Sequence, residues 1–146
     1  MSAGTEWLVD AEGCSAELIR DSEVLRILCE EVITKLGLRV VGDPTWHRFP
    51  PPGGVTGMYL LSESHLTCHT FPETGLATFN LYCCRPRPPF DWEQRLRELL
   101  RSAKVVVRIV DRGTESSAYG LPETDDRSSL VSTISELTSM REVSGP

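Results

Sequence analysis

The chain has 146 residues, 40% of them hydrophobic, with a formal net charge of -6 and a pI near 5.1. This length suits one compact domain, and the negative charge argues against nonspecific binding to nucleic acid or anionic membranes, which requires a basic face. The sequence has no apolar run of the roughly 20 residues that span a bilayer and no signal-peptide pattern at its N-terminus. Its five cysteines fit no disulfide framework. We therefore expect a cytoplasmic protein with free thiols that binds neither nucleic acid nor membrane.

The hydrophobic pattern predicts two helices and about six strands. In chain order these are a strand over 7–11, a helix over 21–36, a strand over 38–41, strands over 55–61, 64–71 and 76–84, a helix over 91–101 and a strand over 104–110. Asp21 or Ser22 can cap the first helix. Asp91 can cap the second, with Gln94 as its capping-box partner.

This order of elements predicts an α+β fold, a two-layer sandwich in which an antiparallel sheet carries two helices on one face. Residues 1–113 form this domain. Residues 114–146 are rich in Ser, Thr and Glu and are predicted to be a mobile C-terminal tail. The Pro- and Gly-rich segment 50–54 cannot join a strand ladder, so we expect a loop there, beside which chemistry often lies.

Potential zinc ligands are concentrated between residues 60 and 84. They are His65, Cys68, His69 and the adjacent pair Cys83 and Cys84. Alternation along a strand places the two histidines on one face and Cys68 on the other, and adjacent cysteines do not reproduce the C-x₂-C spacing of a structural zinc site. The pattern therefore disfavours a metal site.

A cysteine nucleophile with His69 as its base is a second interpretation. Composition leaves it open. No local sequence resembles the protease signatures that accompany such a pair, although those signatures do not transfer between families.

A third interpretation comes from the segment SESHLTCHTFPE, which HRFPPPGGVTG precedes and a strand ending in Cys84 follows. Over about Trp7 to Gly113, the chain resembles the prokaryotic type of S-adenosylmethionine decarboxylase proenzyme. The resemblance implies self-cleavage between Glu63 and Ser64, which yields a beta chain of residues 1–63 and an alpha chain of residues 64–146. It also implies that Ser64 becomes a pyruvoyl group, the cofactor in place of pyridoxal phosphate, with no metal.

The resemblance assigns roles to individual residues. Ser64 attacks the carbonyl of Glu63, and its pyruvoyl product later forms a Schiff base with the substrate amine. His69 is the proton acceptor in processing, for which imidazole is suited, and Thr56 supplies an assisting hydroxyl. Cys84 is the proton donor in decarboxylation. Cys83 projects to the opposite face and is expected to be a small buried hydrophobe.

Substrate-binding residues follow from the same resemblance. Phe49 is expected to stack on adenine and Glu73 to bind the ribose hydroxyls, while Phe71 stands where the family commonly has Trp. The first strand, EWLVDAEGC, lacks a His common in the family, and the loop at 50–52 is one residue longer. These differences leave the substrate open between S-adenosylmethionine and ornithine or arginine.

The favoured function is decarboxylation of S-adenosylmethionine, which supplies the aminopropyl donor for spermidine and other polyamines. As in the family, a homodimer acting on a small molecule is expected. A non-catalytic regulatory homologue is the alternative from another class. Such a protein is expected to lack Ser64, His69 or Cys84, and all three are present.

Overall fold

A computed structural model describes residues 3–113, so the predicted tail at 114–146 lies outside the described residues. In chain order the elements are β1 (Gly4–Glu12), α1 (Ala16–Ile19), α2 (Ser22–Lys35), β2 (Thr45–Arg48), β3 (Val55–Leu61), β4 (Ser64–Phe71), β5 (Leu76–Cys83), α3 (Trp92–Leu100) and β6 (Lys104–Arg112). Every neighbouring strand pair in the sheet, which has the order β2-β3-β4-β5-β1-β6, is antiparallel. None of the helices over 3–113 is long and apolar enough to cross a membrane.

The helices pack against one face of this sheet and enclose the core. Alternate side chains of the strands, among them Leu66, Phe79 and Leu81, are buried together with side chains of all three helices. The predicted α+β sandwich is therefore confirmed. The second face carries no helix within the described part of the chain, and we call it the open face.

The long helices begin at the predicted caps. The side chain of Asp21 accepts a hydrogen bond from the Glu23 N–H, and that of Asp91 accepts one from the Gln94 N–H. The Gln94 side chain donates to Glu98 instead of returning to the cap, so the predicted capping box is only half formed.

The strand predicted over 38–41 is wrong, and another segment takes its place in the sheet. Residues 38–41 make only an isolated bridge, between Val40 and Leu61, and the strand that pairs with the outer side of β3 is β2. Trp46 explains this pairing because its ring lies directly over Gly57 of β3, where an added Cβ would come within 2.5 Å of the ring. The structure also adds the four-residue helix α1 and ends β5 at Cys83, one residue earlier than predicted.

Strand β4 places its side chains by simple alternation. Leu66, Cys68 and Thr70 are buried on the helix side. His65 and His69 lie on the open face. Because β4 is the third of six strands in the sheet, neither ring lies at a lateral edge of that face.

Candidate active site

The Glu63–Ser64 bond lies at the end of a tight turn between β3 and β4. Leu61 and Ser64 are paired across the two strands, so Ser62 and Glu63 alone make the connection. Ser64 has a φ of +153°, in a region that is nearly restricted to glycine and costs a side-chain-bearing residue about 1–3 kcal/mol. The bond predicted to break is therefore next to a strained backbone.

The carbonyl of Glu63 is bound by the segment that follows β5. Its oxygen accepts a hydrogen bond of 3.2 Å from the Cys84 N–H. A donor at this oxygen draws electron density from the carbonyl carbon and stabilises the negative charge that develops when a nucleophile attacks. The backbone of Cys84 is thus placed to assist attack on Glu63.

The two neighbouring thiols differ in environment. Cys84 is exposed, whereas Cys83 is buried. Burial raises the pKa of the Cys83 thiol to about 11, with a smaller contribution from Cys84. Of this pair, Cys84 is the thiol that a substrate can reach, and Cys83 is the buried hydrophobe that was expected.

His65 contacts the Ser64 hydroxyl, a contact that sequence analysis missed. Its Nδ1 lies 3.1 Å from the Oγ of Ser64, and its ring lies 5.9 Å from that of Tyr82, between centroids. Strict alternation would put successive side chains on opposite faces, so the sequence spacing of Ser64 and His65 does not predict this contact. It coincides with the unusual φ of Ser64.

His69 and Thr56, to which the resemblance assigns separate roles in processing, contact each other in the structure. They are direct cross-strand partners on β4 and β3, and 2.6 Å separates the Thr56 Oγ1 from the His69 Nδ1. A hydrogen bond at one ring nitrogen sets the orientation and tautomer of an imidazole. The arrangement leaves His69 Nε2 as the nitrogen available to another group.

Ser64 and His69 are not brought together within one chain. They lie five positions apart on β4, and a strand rises about 3.3 Å per residue, so their Cα atoms are separated by about 16 Å. Proton transfer needs a heavy-atom distance near 3 Å or one bridging water. His69 therefore does not reach the Ser64 hydroxyl of its own chain.

The three predicted substrate-binding residues do meet. Phe49, Phe71 and Glu73 line one cavity of about 230 Å³ together with His69. The rings of Phe49 and Phe71 lie 5.8 and 4.5 Å from that of His69, between centroids, both edge to face. This aromatic cavity lies at the end of β4 opposite Ser64.

The geometry does not support the metal and cysteine-nucleophile interpretations. Cys68 is 2% exposed on the helix side of β4, while His65 and His69 lie on the open face. Cys84 follows Cys83, which pairs with Ser64 across the sheet, and so lies at the end of β4 remote from His69. Neither Cys68 nor Cys84 faces His69 in the same chain.

Comparison with known proteins places these residues in a family. The model of the S-adenosylmethionine decarboxylase family matches residues 5–113. A protein of Caldicellulosiruptor saccharolyticus, named S-adenosylmethionine decarboxylase proenzyme, is 32% identical over 111 residues, which cover 75% of this chain and 88% of that protein. A protein of the same name from Archaeoglobus fulgidus is 39% identical over 84 residues, 58% of this chain and 73% of that protein.

A solved structure agrees. The crystal structure of the adenosylmethionine decarboxylase from Aquifex aeolicus superposes with a TM-score of 0.66 at 28% identity, over 81% of this chain and 97% of that one. Sequence and fold thus agree over the domain that holds the turn, the two histidines and the aromatic cavity. The chain belongs to the S-adenosylmethionine decarboxylase family.

Proposed function

We propose that the chain is a proenzyme that cleaves itself between Glu63 and Ser64 and then decarboxylates S-adenosylmethionine. The observation that carries the proposal is the turn itself, where a strained Ser64 follows a carbonyl bound by the Cys84 N–H. Membership of the family supports it. The product would be the aminopropyl donor for polyamine synthesis. The five unpaired thiols suit a reducing compartment such as the cytoplasm.

The cleavage needs no reagent other than water. The Ser64 Oγ bonds to the carbonyl carbon of Glu63 while the C–N bond breaks, and the hydroxyl proton passes to the freed nitrogen, giving an ester. Loss of the Cα proton of residue 64 then breaks its Cβ–Oγ bond, so that Glu63 leaves as a carboxylate. The dehydroalanine left behind takes up water and releases ammonia, which yields the pyruvoyl group.

The residues present fit a pyruvoyl group at position 64. Ser64, the residue that would become the pyruvoyl group, lies at a turn. His65 contacts the Ser64 side chain, and the exposed Cys84 thiol is nearby. The group supplies an electron sink for the electrons left when carbon dioxide departs. The role of Cys84 is to donate a proton to the substrate's α-carbon, which prevents protonation of the cofactor instead.

We also propose that two copies build the site. Leu66 and Thr67 lie midway between Ser64 and His69 on β4. A two-fold axis that lies between the open faces of two copies and passes near this midpoint would set Ser64 of one copy against His69 of the other. The contact would occur twice, because contacts across a two-fold axis are reciprocal. The 16 Å or so between these residues in one chain requires a partner of this kind if His69 is to act. The open face is apolar enough to pair, since Met58 and Leu60 are 53% and 61% exposed there.

In this arrangement the aromatic cavity of one copy adjoins the Ser64 of the other. Phe49 and Phe71 provide flat faces for adenine and a favourable neighbour for the positive sulfonium. Glu73 provides a carboxylate for the ribose hydroxyls. The site would thus bind the nucleoside with one chain and hold the reacting group with the other.

Mass analysis under denaturing conditions tests the proposal. Purified protein should resolve into residues 1–63 and 64–146, the second with a pyruvoyl N-terminus, and should release carbon dioxide from S-adenosylmethionine. Assays with ornithine and arginine are the controls. A chain that stays whole on long incubation argues against cleavage, and release from an amino acid alone argues against the substrate.

The Met58→Glu variant tests the pairing of open faces. Two-fold packing would bury the new carboxylates without partners, which is strongly destabilising. We expect the molar mass of the Met58→Glu protein in sedimentation equilibrium to be that of one chain, whereas the wild-type protein should have the mass of two. We also expect the variant not to cleave itself. Ile27→Glu is the matched control because Ile27, on α2, is 55% exposed. A Met58→Glu protein that remains dimeric and cleaves normally would exclude this interface.

A further inference from the structure

Arg87 reaches the cleavage turn from the loop between β5 and α3. Its Nη2 forms an ion pair with the Oε2 of Glu63, in which the two side chains are only 15% and 23% exposed. Arg87 Nη1 also donates to the carbonyl oxygens of Leu36 and Gly37, at 3.3 and 3.4 Å. One guanidinium thus joins the residue before the cut to the C-terminal end of α2.

The charges around Arg87 favour this position. The C-terminal end of a helix carries partial negative charge, and the Glu63 carboxylate adds a full one on the other side. A planar guanidinium can serve both at once because its donors point in different directions. Partial burial limits screening by salt. The contact therefore restrains the Glu63 side chain relative to the domain.

Glu63 is consequently held at two points by one short segment. Its carbonyl oxygen is bound by the Cys84 N–H, and its side chain is bound by Arg87, three residues further on. Together these contacts restrict rotation of the Glu63 carbonyl about the backbone. The orientation of that carbonyl decides whether the Ser64 Oγ can approach its carbon, and misplacement of reacting groups by about 1 Å can slow a reaction by about 10²-fold.

We propose that Arg87 is a positioning residue for self-cleavage, acting through Glu63 on the step in which the Ser64 Oγ attacks. The proposal rests on the self-cleavage stated above. Arg87 touches neither the hydroxyl nor the departing nitrogen, so it moves no proton and affects only the geometry of the carbonyl. Its loss should slow formation of the ester and leave later steps unchanged.

The test compares cleavage rates of folded chains. Arg87→Ala should cleave about 10-fold to 100-fold more slowly than the wild-type chain, and Arg87→Lys, which retains the charge without the fork, should fall between them. Arg85→Ala is the matched control because Arg85 lies in the same loop and is exposed. Glu63→Gln removes the ion pair but leaves the hydrogen bonds from Arg87 to the Leu36 and Gly37 carbonyl oxygens in place. This variant should slow cleavage as well. The Glu63→Gln/Arg87→Ala double variant should be no slower than the slower single variant.

Hydroxylamine separates positioning from a merely structural role. Hydroxylamine rapidly cleaves the ester that joins Glu63 to the Ser64 Oγ. A variant that is blocked after this ester has formed is therefore cleaved when hydroxylamine is added. A variant in which the Ser64 Oγ fails to attack is not. We expect hydroxylamine to leave the slow cleavage of Arg87→Ala unaccelerated while circular dichroism reports a folded chain. Rapid cleavage in hydroxylamine, or a folded Arg87→Ala chain that matures at the wild-type rate, would overturn the role of Arg87. If Arg87→Ala fails to fold, a wild-type cleavage rate in Glu63→Gln overturns it instead. A wild-type chain that never cleaves overturns both this role and the proposed function.

Discussion

Co-expression of a Ser64→Ala chain with a His69→Ala chain is expected to produce cleavage that neither chain shows alone. The first chain has no nucleophile, and the second has no proton acceptor. In a mixed dimer, however, the intact Ser64 of the second chain would face the intact His69 of the first. With equal expression and random pairing, about half of the His69→Ala chains would enter such dimers. Denaturing mass analysis should find fragments from those chains.

The matched control pairs the His69→Ala chain with a Ser64→Ala/His69→Ala chain. This partner forms the same dimer but brings no imidazole at position 69, so the mixture should stay whole. If mixed dimers are isolated through two different affinity tags and remain uncleaved in the first experiment as well, His69 does not act across the interface. His65, 3.1 Å from the Ser64 hydroxyl, would then be the better candidate for the base.

Replacing Cys84 by Ala is expected to separate cleavage from turnover. The carbonyl of Glu63 is bound by the backbone N–H of residue 84, which alanine retains, so the chain should still mature. The side chain is the proposed proton donor, and loss of a general acid lowers rates by about 10²- to 10⁴-fold. Cleavage should be followed by mass and turnover by release of carbon dioxide.

Cys83→Ala is the control for the loss of a thiol at this end of β5. Cys83 is fully buried, so its replacement should lower the melting temperature and leave the specific activity of the folded, cleaved protein unchanged. The assignment of Cys84 fails if the Cys84→Ala enzyme turns over at the wild-type rate. Arrested cleavage in that variant would instead tie the thiol to maturation.

The sequence predicted the parts of the fold that periodicity controls. Helix α2 and the strands β3 and β4 have strong patterns and distinct end signals, and they lie where expected. Strand β2 was missed because only four residues pair and because its anchor is a tertiary contact of Trp46 with Gly57. A segment this short carries too few residues for alternation to show.

The candidate site was predictable only where its contacts follow from strand register. Thr56 and His69 meet because they are opposite each other on neighbouring strands. The contact of Ser64 with His65 accompanies one unusual φ angle, and the ion pair of Glu63 with Arg87 depends on the path of a loop. Neither leaves a pattern in the sequence. The family resemblance suggested that Ser64 and His69 act together but not that one strand keeps them apart.

The five-residue spacing between Ser64 and His69 on β4 has a consequence for the cell. If each chain needs a second chain to mature, a newly made chain stays inert until it meets another. The onset of activity then depends on the amount of protein made, and dilute precursor accumulates uncut. The protein would then mature only above a threshold level of expression. This dependence would follow from the distance that separates Ser64 from His69 along β4.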